Sequence, residues 1–217
     1  MKSSLQLLCA LALLSSAAAE GALAQDHDVK TSDQVLEDYT ECVASRRSGK
    51  TSLIQEYLSV PLGEEIPRAI IMQLIVSDCL EGAGQLRMAD ELFGRALYSA
   101  LYRRDFRKDE LHSFDPAVIY DGEFDPDRLP ISDNQKYVRA VGDCVASRNP
   151  LAAHLYVVAK VWSPEEERVL PEVASALAQC HDAGQRMAFS RSMLKGILAE
   201  SLYKYRKGMT QTERAEP

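Results

Sequence analysis

The sequence has few of the residues that carry metal, cofactor or nucleotide chemistry. It contains no Cys-x-x-Cys pair, and His27, His112, His154 and His181 show no ligand spacing, so the common zinc frameworks are excluded. His181 directly follows Cys180, yet neighbouring residues on a helix point in different directions. Basic residues are in the minority, 25 against 32 acids, for a net charge of −7 and a pI near 5.2. That balance speaks against nucleic acid or an anionic membrane surface as the main partner, because both attract basic patches. Past the N-terminal region, no apolar run approaches the roughly 20 residues that span a bilayer, so membrane insertion is not expected. Val and Ile nowhere alternate with polar residues over a useful length, which removes the strand signal. With 46% hydrophobic and 26% charged residues, the chain is also unlike disordered, collagenous or coiled-coil sequences.

What is present begins with an address. Lys2 precedes an apolar run from Leu5 to Leu14, and small residues follow to Ala22-Leu23-Ala24. This order reads as a signal peptide over residues 1–24, with Gln25 as the mature N-terminus and a periplasmic or extracellular destination. Cys9 follows Leu7-Leu8 rather than small residues, which argues against lipidation. Removal of the signal leaves Cys42, Cys79, Cys144 and Cys180, an even set for which disulfides are the default reading in an oxidising compartment.

Four cysteines allow three connectivities, and an internal duplication selects among them. Cys42-Val43-Ala44-Ser45-Arg46 recurs letter for letter as Cys144-Val145-Ala146-Ser147-Arg148. The spacings from Cys42 to Cys79 and from Cys144 to Cys180 are 37 and 36 positions. Ala83-Gly84-Gln85 answers Ala183-Gly184-Gln185, and Leu101-Tyr102 answers Leu202-Tyr203. Two homologous halves follow, each with its own pair, Cys42 with Cys79 and Cys144 with Cys180.

Both halves read as helices, about four each, giving an all-α fold of two disulfide-stapled repeats. Thr31-Ser32-Asp33-Gln34 and Ser132-Asp133-Asn134-Gln135 are capping boxes ahead of i, i+3, i+4, i+7 apolar stripes. Second helices are expected over 52–59 and 151–161, the latter opened by Asn149-Pro150. Third helices begin at Gly63-Glu64-Glu65 and at Ser163-Pro164-Glu165-Glu166, where Ser163 is the cap and Glu166 the capping-box acid. They carry the second cysteine near their ends and stop at Gly82, Gly84 and Gly184. The longest helices run over about 85–104 and 186–204. Repeat 1 thus covers 25–104, an acidic turn-rich connector 105–131, repeat 2 132–206 and a frayed tail 207–217.

No catalytic constellation emerges. Ala44 to Thr51 ends in Gly49-Lys50-Thr51, but the first glycine of a phosphate loop is missing and a helix precedes it. Asp121 to Asp127 offers four acids, but Pro126 and the lack of a spaced terminal Glu break the calcium-loop template. The repeated carboxylate pairs Glu64-Glu65 and Glu165-Glu166 suit helix first turns, and Ser45 and Ser147 have no matching histidine. Trp162, Tyr98, Tyr102, Tyr203 and Tyr205 sit at core-like helical spacing. Arg46 and Arg148, the charged residues of the repeated pentapeptide, are the candidate binding residues. A last-turn arginine also offsets exposed helix carbonyls, which is their structural reading.

The helix with Cys-Val-x-x-Arg, the Ser-x-Glu-Glu helix start, the second Cys and the closing Leu-Tyr helix together resemble small uncharacterised exported proteins of alphaproteobacteria. Residues Cys42 to Arg46, Ser163 to Glu166 and Leu202-Tyr203 carry this resemblance. It implies compartment and architecture only, since no activity is assigned to that group; the first half departs from it where Leu62-Gly63 stands in place of Ser163-Pro164. The sequence therefore points to an exported, non-enzymatic helical protein that binds a protein or envelope partner, without cofactor or metal. The alternative is a hydrolase or small-ligand binder with a site between the repeats.

Overall fold

A computed structural model describes residues 30–46, 51–60, 65–80, 87–109, 111–115, 132–180 and 188–215. The signal segment, Gly49-Lys50, Gly63-Glu64, the glycines at 82, 84 and 184, Asp121 to Asp127 and His181 lie outside the described residues. Among the described residues the fold is all-helical: α1 (Ser32–Arg46), α2 (Thr51–Ser59), α3 (Arg68–Leu74), α4 (Asp90–Phe106), α5 (Asp133–Arg148), α6 (Pro150–Val158), α7 (Pro164–Gln179) and α8 (Arg191–Ala215). A short 3-10 turn, Ser77–Cys79, follows α3. Among the described residues four helices precede residue 107 and four follow residue 132. The disulfides are Cys42 to Cys79 and Cys144 to Cys180, the pairing expected from the matched spacings in the sequence.

Local sequence sets most helix starts. Thr31 and Gln34 exchange side-chain and backbone hydrogen bonds, as do Ser132 and Gln135, which completes both capping boxes. The Asn149 side chain accepts from the Ala152 amide ahead of α6, with Pro150 in the first turn. Ser163 caps α7 by accepting from the Glu166 amide at 3.2 Å. Glu166, however, is not the reciprocal capping acid: its carboxylate accepts from the Trp162 amide at 2.8 Å and is otherwise buried against Arg191 and Lys195. The third helix of the first half starts later than its sequence suggests. Pro67 is its N-cap and holds the residue before it out of the helical region, so α3 has only seven residues and ends in extended Ile75. The last helix runs beyond its expected end, through the segment read as a tail, to Ala215.

Packing centres on α4 against α8, the longest helix of each half and the most extensively paired elements in the fold. Gly196 permits the approach: a Cβ there would lie 2.4 Å from the Arg95 Cβ and 2.9 Å from its carbonyl carbon. Around this pair, α1 packs on α4, α5 and α6 pack on α8, and α7 lies over α5 and α6. One hydrophobic cluster draws on both halves, from Tyr39, Ile54, Leu97 and Tyr102 to Val145, Tyr156, Leu198 and Leu202. The start of the connector joins it too: Leu111 and Phe114 are buried, and the Phe114 ring meets Tyr205 at 4.8 Å. Three of the four singled-out tyrosines are core aromatics packed across the halves, including Tyr98 and Tyr203 with rings 6.0 Å apart.

Candidate functional site between the two halves

Every residue of α4 from Arg95 to Arg103 is buried, three of them polar. Arg95, Ser99 and Arg103 recur at i, i+4 and i+8, one polar stripe along a buried stretch otherwise made of Ala, Leu and Tyr. On α8, Glu200 and Lys204 are likewise buried or nearly so. Charges inside a core must be paired, and the pairing builds two distinct clusters.

The first cluster is structural. Arg103 donates to Glu37 at 2.8 Å and to the Val157 carbonyl at 3.2 Å, and its Nε lies 2.8 Å from Glu41. Lys195 donates to the Tyr156 and Ala159 carbonyls at 2.8 and 2.5 Å. These are the orphan carbonyls at the end of α6, where the helix dipole is negative. Glu37 then accepts from the Val161 amide, and Lys160 reaches back to Glu41. Side chains of α1, α4 and α8 thereby hold the turn between α6 and α7. Trp162 sits in that turn at φ 62°, with Arg191 over its ring at 3.7 Å. Burial pulls Lys195 down to about 8 despite the neighbouring Glu166 carboxylate. The space left beside Thr40, Ser99 and Ser192 is about 10 Å³, water-sized at most.

The second cluster opens on a cavity of about 350 Å³ between α2, α4, α5 and α8. Arg139 Nε lies 3.2 Å from Glu200, Glu200 accepts from Arg95 at 2.9 Å, and Arg95 binds Glu91 at 3.0 Å. Lys204 adds a third cation to Glu200 at 2.5 Å. Burial alone would raise the Glu200 carboxyl, but Lys204, Arg95 and Arg139 outweigh it and bring it to about 2. Leu58, Val60 and Ile66 give the cavity an apolar wall, Tyr57 and Tyr98 two phenols, and the exposed Glu65 and Asp90 an acidic rim. Tyr57 donates to the Asp90 carbonyl at 3.1 Å. Two lining groups have capacity to spare. Among the described residues the Tyr98 hydroxyl has no hydrogen-bond partner, and Arg139 contacts its one partner through Nε only.

Of the residues singled out from sequence, Tyr98 and Glu65 line the cavity and the others lie elsewhere. Arg46 donates to Asp78 at 3.0 Å and Arg148 to Gln179 at 2.9 Å, and both pairs are exposed. Each thus ties the end of α1 or α5 to the residue just before the second cysteine, and neither lines the cavity. His154 is buried with Nδ1 2.9 Å from the Tyr102 hydroxyl. Ser45 and Ser147 are exposed at helix ends. Of the carboxylate pairs, Glu65 reaches the rim of the cavity while Glu166 is in the core and Glu165 on the surface. Among the described residues no group of three or more His, Cys, Asp or Glu is placed to hold a metal ion. Sequence reasoning missed Arg95, Arg139 and Glu200. Their spacing of four from other polar residues is visible, but a helix surface in water shows the same pattern.

Comparison with protein-family models, curated proteins and solved structures finds no match.

Proposed function

We propose that this chain is an exported, disulfide-stapled helical protein that takes up a small amphipathic ligand in the cavity between its halves. One observation carries the reading: a concave site of about 350 Å³ presents an apolar wall beside a phenol and a guanidinium with unused donors. That combination of enclosure and a few convergent polar groups is what small-molecule sites require. Binding fits better than hydrolysis. Glu200, held at about 2 by three cations, has no proton to donate near neutrality, and Glu91 is bonded to Arg95. Export and an origin by duplication belong to the same proposal. They are supported by two disulfides, the same helix order in each half and the absence, among the described residues, of any helix long and apolar enough to cross a membrane.

A thermal-shift panel of sugars, amino acids, carboxylates, amines and nucleosides tests this reading. A ligand at about 100 times its Kd adds roughly 2.7 kcal/mol to the folded state, a shift of several degrees at this size. Gly94→Leu, which projects into the cavity beside Tyr57 and Leu58, is expected to abolish that shift while the protein stays folded. No shift with any member, or equal shifts in both proteins, would overturn the reading.

A second reading is a protein partner, favoured by Leu151 and Leu155, which expose 39% and 42% of their surface one turn apart on α6. Capture of a stoichiometric partner from envelope extracts, lost in Leu151→Asp/Leu155→Asp, would support it.

A further inference from the structure

The charged groups on the cavity floor form a chain of alternating sign: Arg139, Glu200, Arg95, Glu91. Its two inner members are saturated. Arg95 spends both terminal nitrogens and Nε on Glu200 and Glu91, and Glu200 is surrounded by three cations. The two ends differ. Arg139, with 16% of its side chain exposed, keeps its terminal nitrogens without a partner among the described residues. Glu91, with 36% exposed, engages Arg95 through Oε1 alone. One end therefore offers a cationic fork, and the other a carboxylate oxygen.

We propose that the ligand is a small zwitterion, a free α-amino acid or short peptide with an apolar side chain. This rests on the reading of the cavity as a ligand site. The carboxylate takes the terminal nitrogens of Arg139 in the bidentate arrangement that guanidinium favours, with the hydroxyl of Tyr98, a residue 9% exposed, as a further donor. The ammonium takes Glu91, with Asp90 and Glu65 at the rim favouring its entry. The side chain lies on Leu58, Val60 and Ile66. A plain anion fits less well, because it would meet the acidic rim without a compensating cation; a plain amine would leave the guanidinium unfilled. The volume, about 350 Å³, lies at the small end of ligand sites, which suits one or two residues rather than a folded partner.

Titration calorimetry on the disulfide-bonded protein tests the assignment with four probes: L-leucine, leucyl-leucine, 4-methylpentanoate and 3-methylbutylamine. The two zwitterions are expected to bind, and the better of them tells free amino acid from peptide. Each single-charge probe should bind at least about tenfold more weakly, the loss of one charge-assisted contact. Arg139→Gln should weaken zwitterion binding by about tenfold or more, and Tyr98→Phe by a smaller factor. Tyr98→Phe keeps the ring packing, so it remains informative if Arg139→Gln fails to fold. Binding of 4-methylpentanoate as tight as L-leucine, or zwitterion binding untouched by Tyr98→Phe and Arg139→Gln, would overturn the assignment. If no zwitterion binds but another class from the thermal-shift panel does, and Gly94→Leu blocks it, the assignment falls and the cavity remains a ligand site. If nothing binds, both fall.

Discussion

At the scale of single residues, two glycines of the long helices have opposite jobs. Gly196 lets α8 lie against Arg95, and a methyl group there would overlap the Arg95 Cβ at 2.4 Å. Gly196→Ala should therefore destabilise by about 1 to 3 kcal/mol, even though alanine is the better helix former. Gly94 instead faces the cavity, where an added Cβ makes ordinary contacts of 3.6 and 3.8 Å with Tyr57 and Leu58. Gly94→Ala should stabilise by about 0.5 to 1 kcal/mol. Urea midpoints of the two variants moving in the same direction would contradict this packing. Glu200 gives a pH dependence with a definite sign. Its carboxyl falls from 4.5 to about 2 on folding, so its stabilising contribution is complete above about pH 4.5 and is lost as the pH falls toward 2. Glu200→Gln leaves Arg95, Arg139 and Lys204 without their shared anion and should cost roughly 3 to 5 kcal/mol at neutral pH. The difference between the two proteins should shrink through that acid window. A difference independent of pH would mean that Glu200 is not held by those cations.

At the scale of elements, the disulfides fasten the first helix of each half to the end of its third segment. Loops of 37 and 36 positions have nearly the same closure entropy, about 4 kcal/mol on the chain-entropy model. Cys42→Ala/Cys79→Ala and Cys144→Ala/Cys180→Ala should therefore cost similar amounts; a difference above about 2 kcal/mol would place the effect in the native state. Arg46 and Arg148 bind the residues beside these bridges from exposed positions. Alanine at either should lower stability by less than about 1 kcal/mol, a shift of at most about 4 °C. The elements were legible in the sequence to the extent that local chemistry makes them. Thr31, Ser132, Asn149 and Ser163 announced helix starts because a cap needs only its own next turn. Cys42 and Cys144 announced their bonds because the duplicated spacing ranked the pairings. The α3 start was missed because Pro67 outranks the acids before it, and the end of α8 because polarity alone does not stop a helix. A site between the halves stood only as the alternative reading, and the charged floor of the cavity could not be read. Arg139 and Glu200 lie far apart in the chain, and only the crossing of α4 and α8 makes neighbours of them.

At the scale of the whole molecule, the two halves share their interior. The Arg95 to Glu200 pair, the Tyr102 to His154 bond and the hold of Glu37 on Val161 all cross from one half to the other. Residues 107–132 lie between α4 and α5 along the chain, but the packing of α4 on α8 joins the halves in space. The cavity depends on that union, since its walls come from α2 and α4 on one side and α5 and α8 on the other. Hydrogen exchange across a urea series, read on peptides from the centres of α4 and α8, tests this most directly. The expected result is one opening free energy and one urea dependence for both helices, the behaviour of a single cooperative unit. Release of α4 at lower urea while α8 stays protected would contradict it, and would leave the cavity without one of its walls before the rest of the protein unfolds.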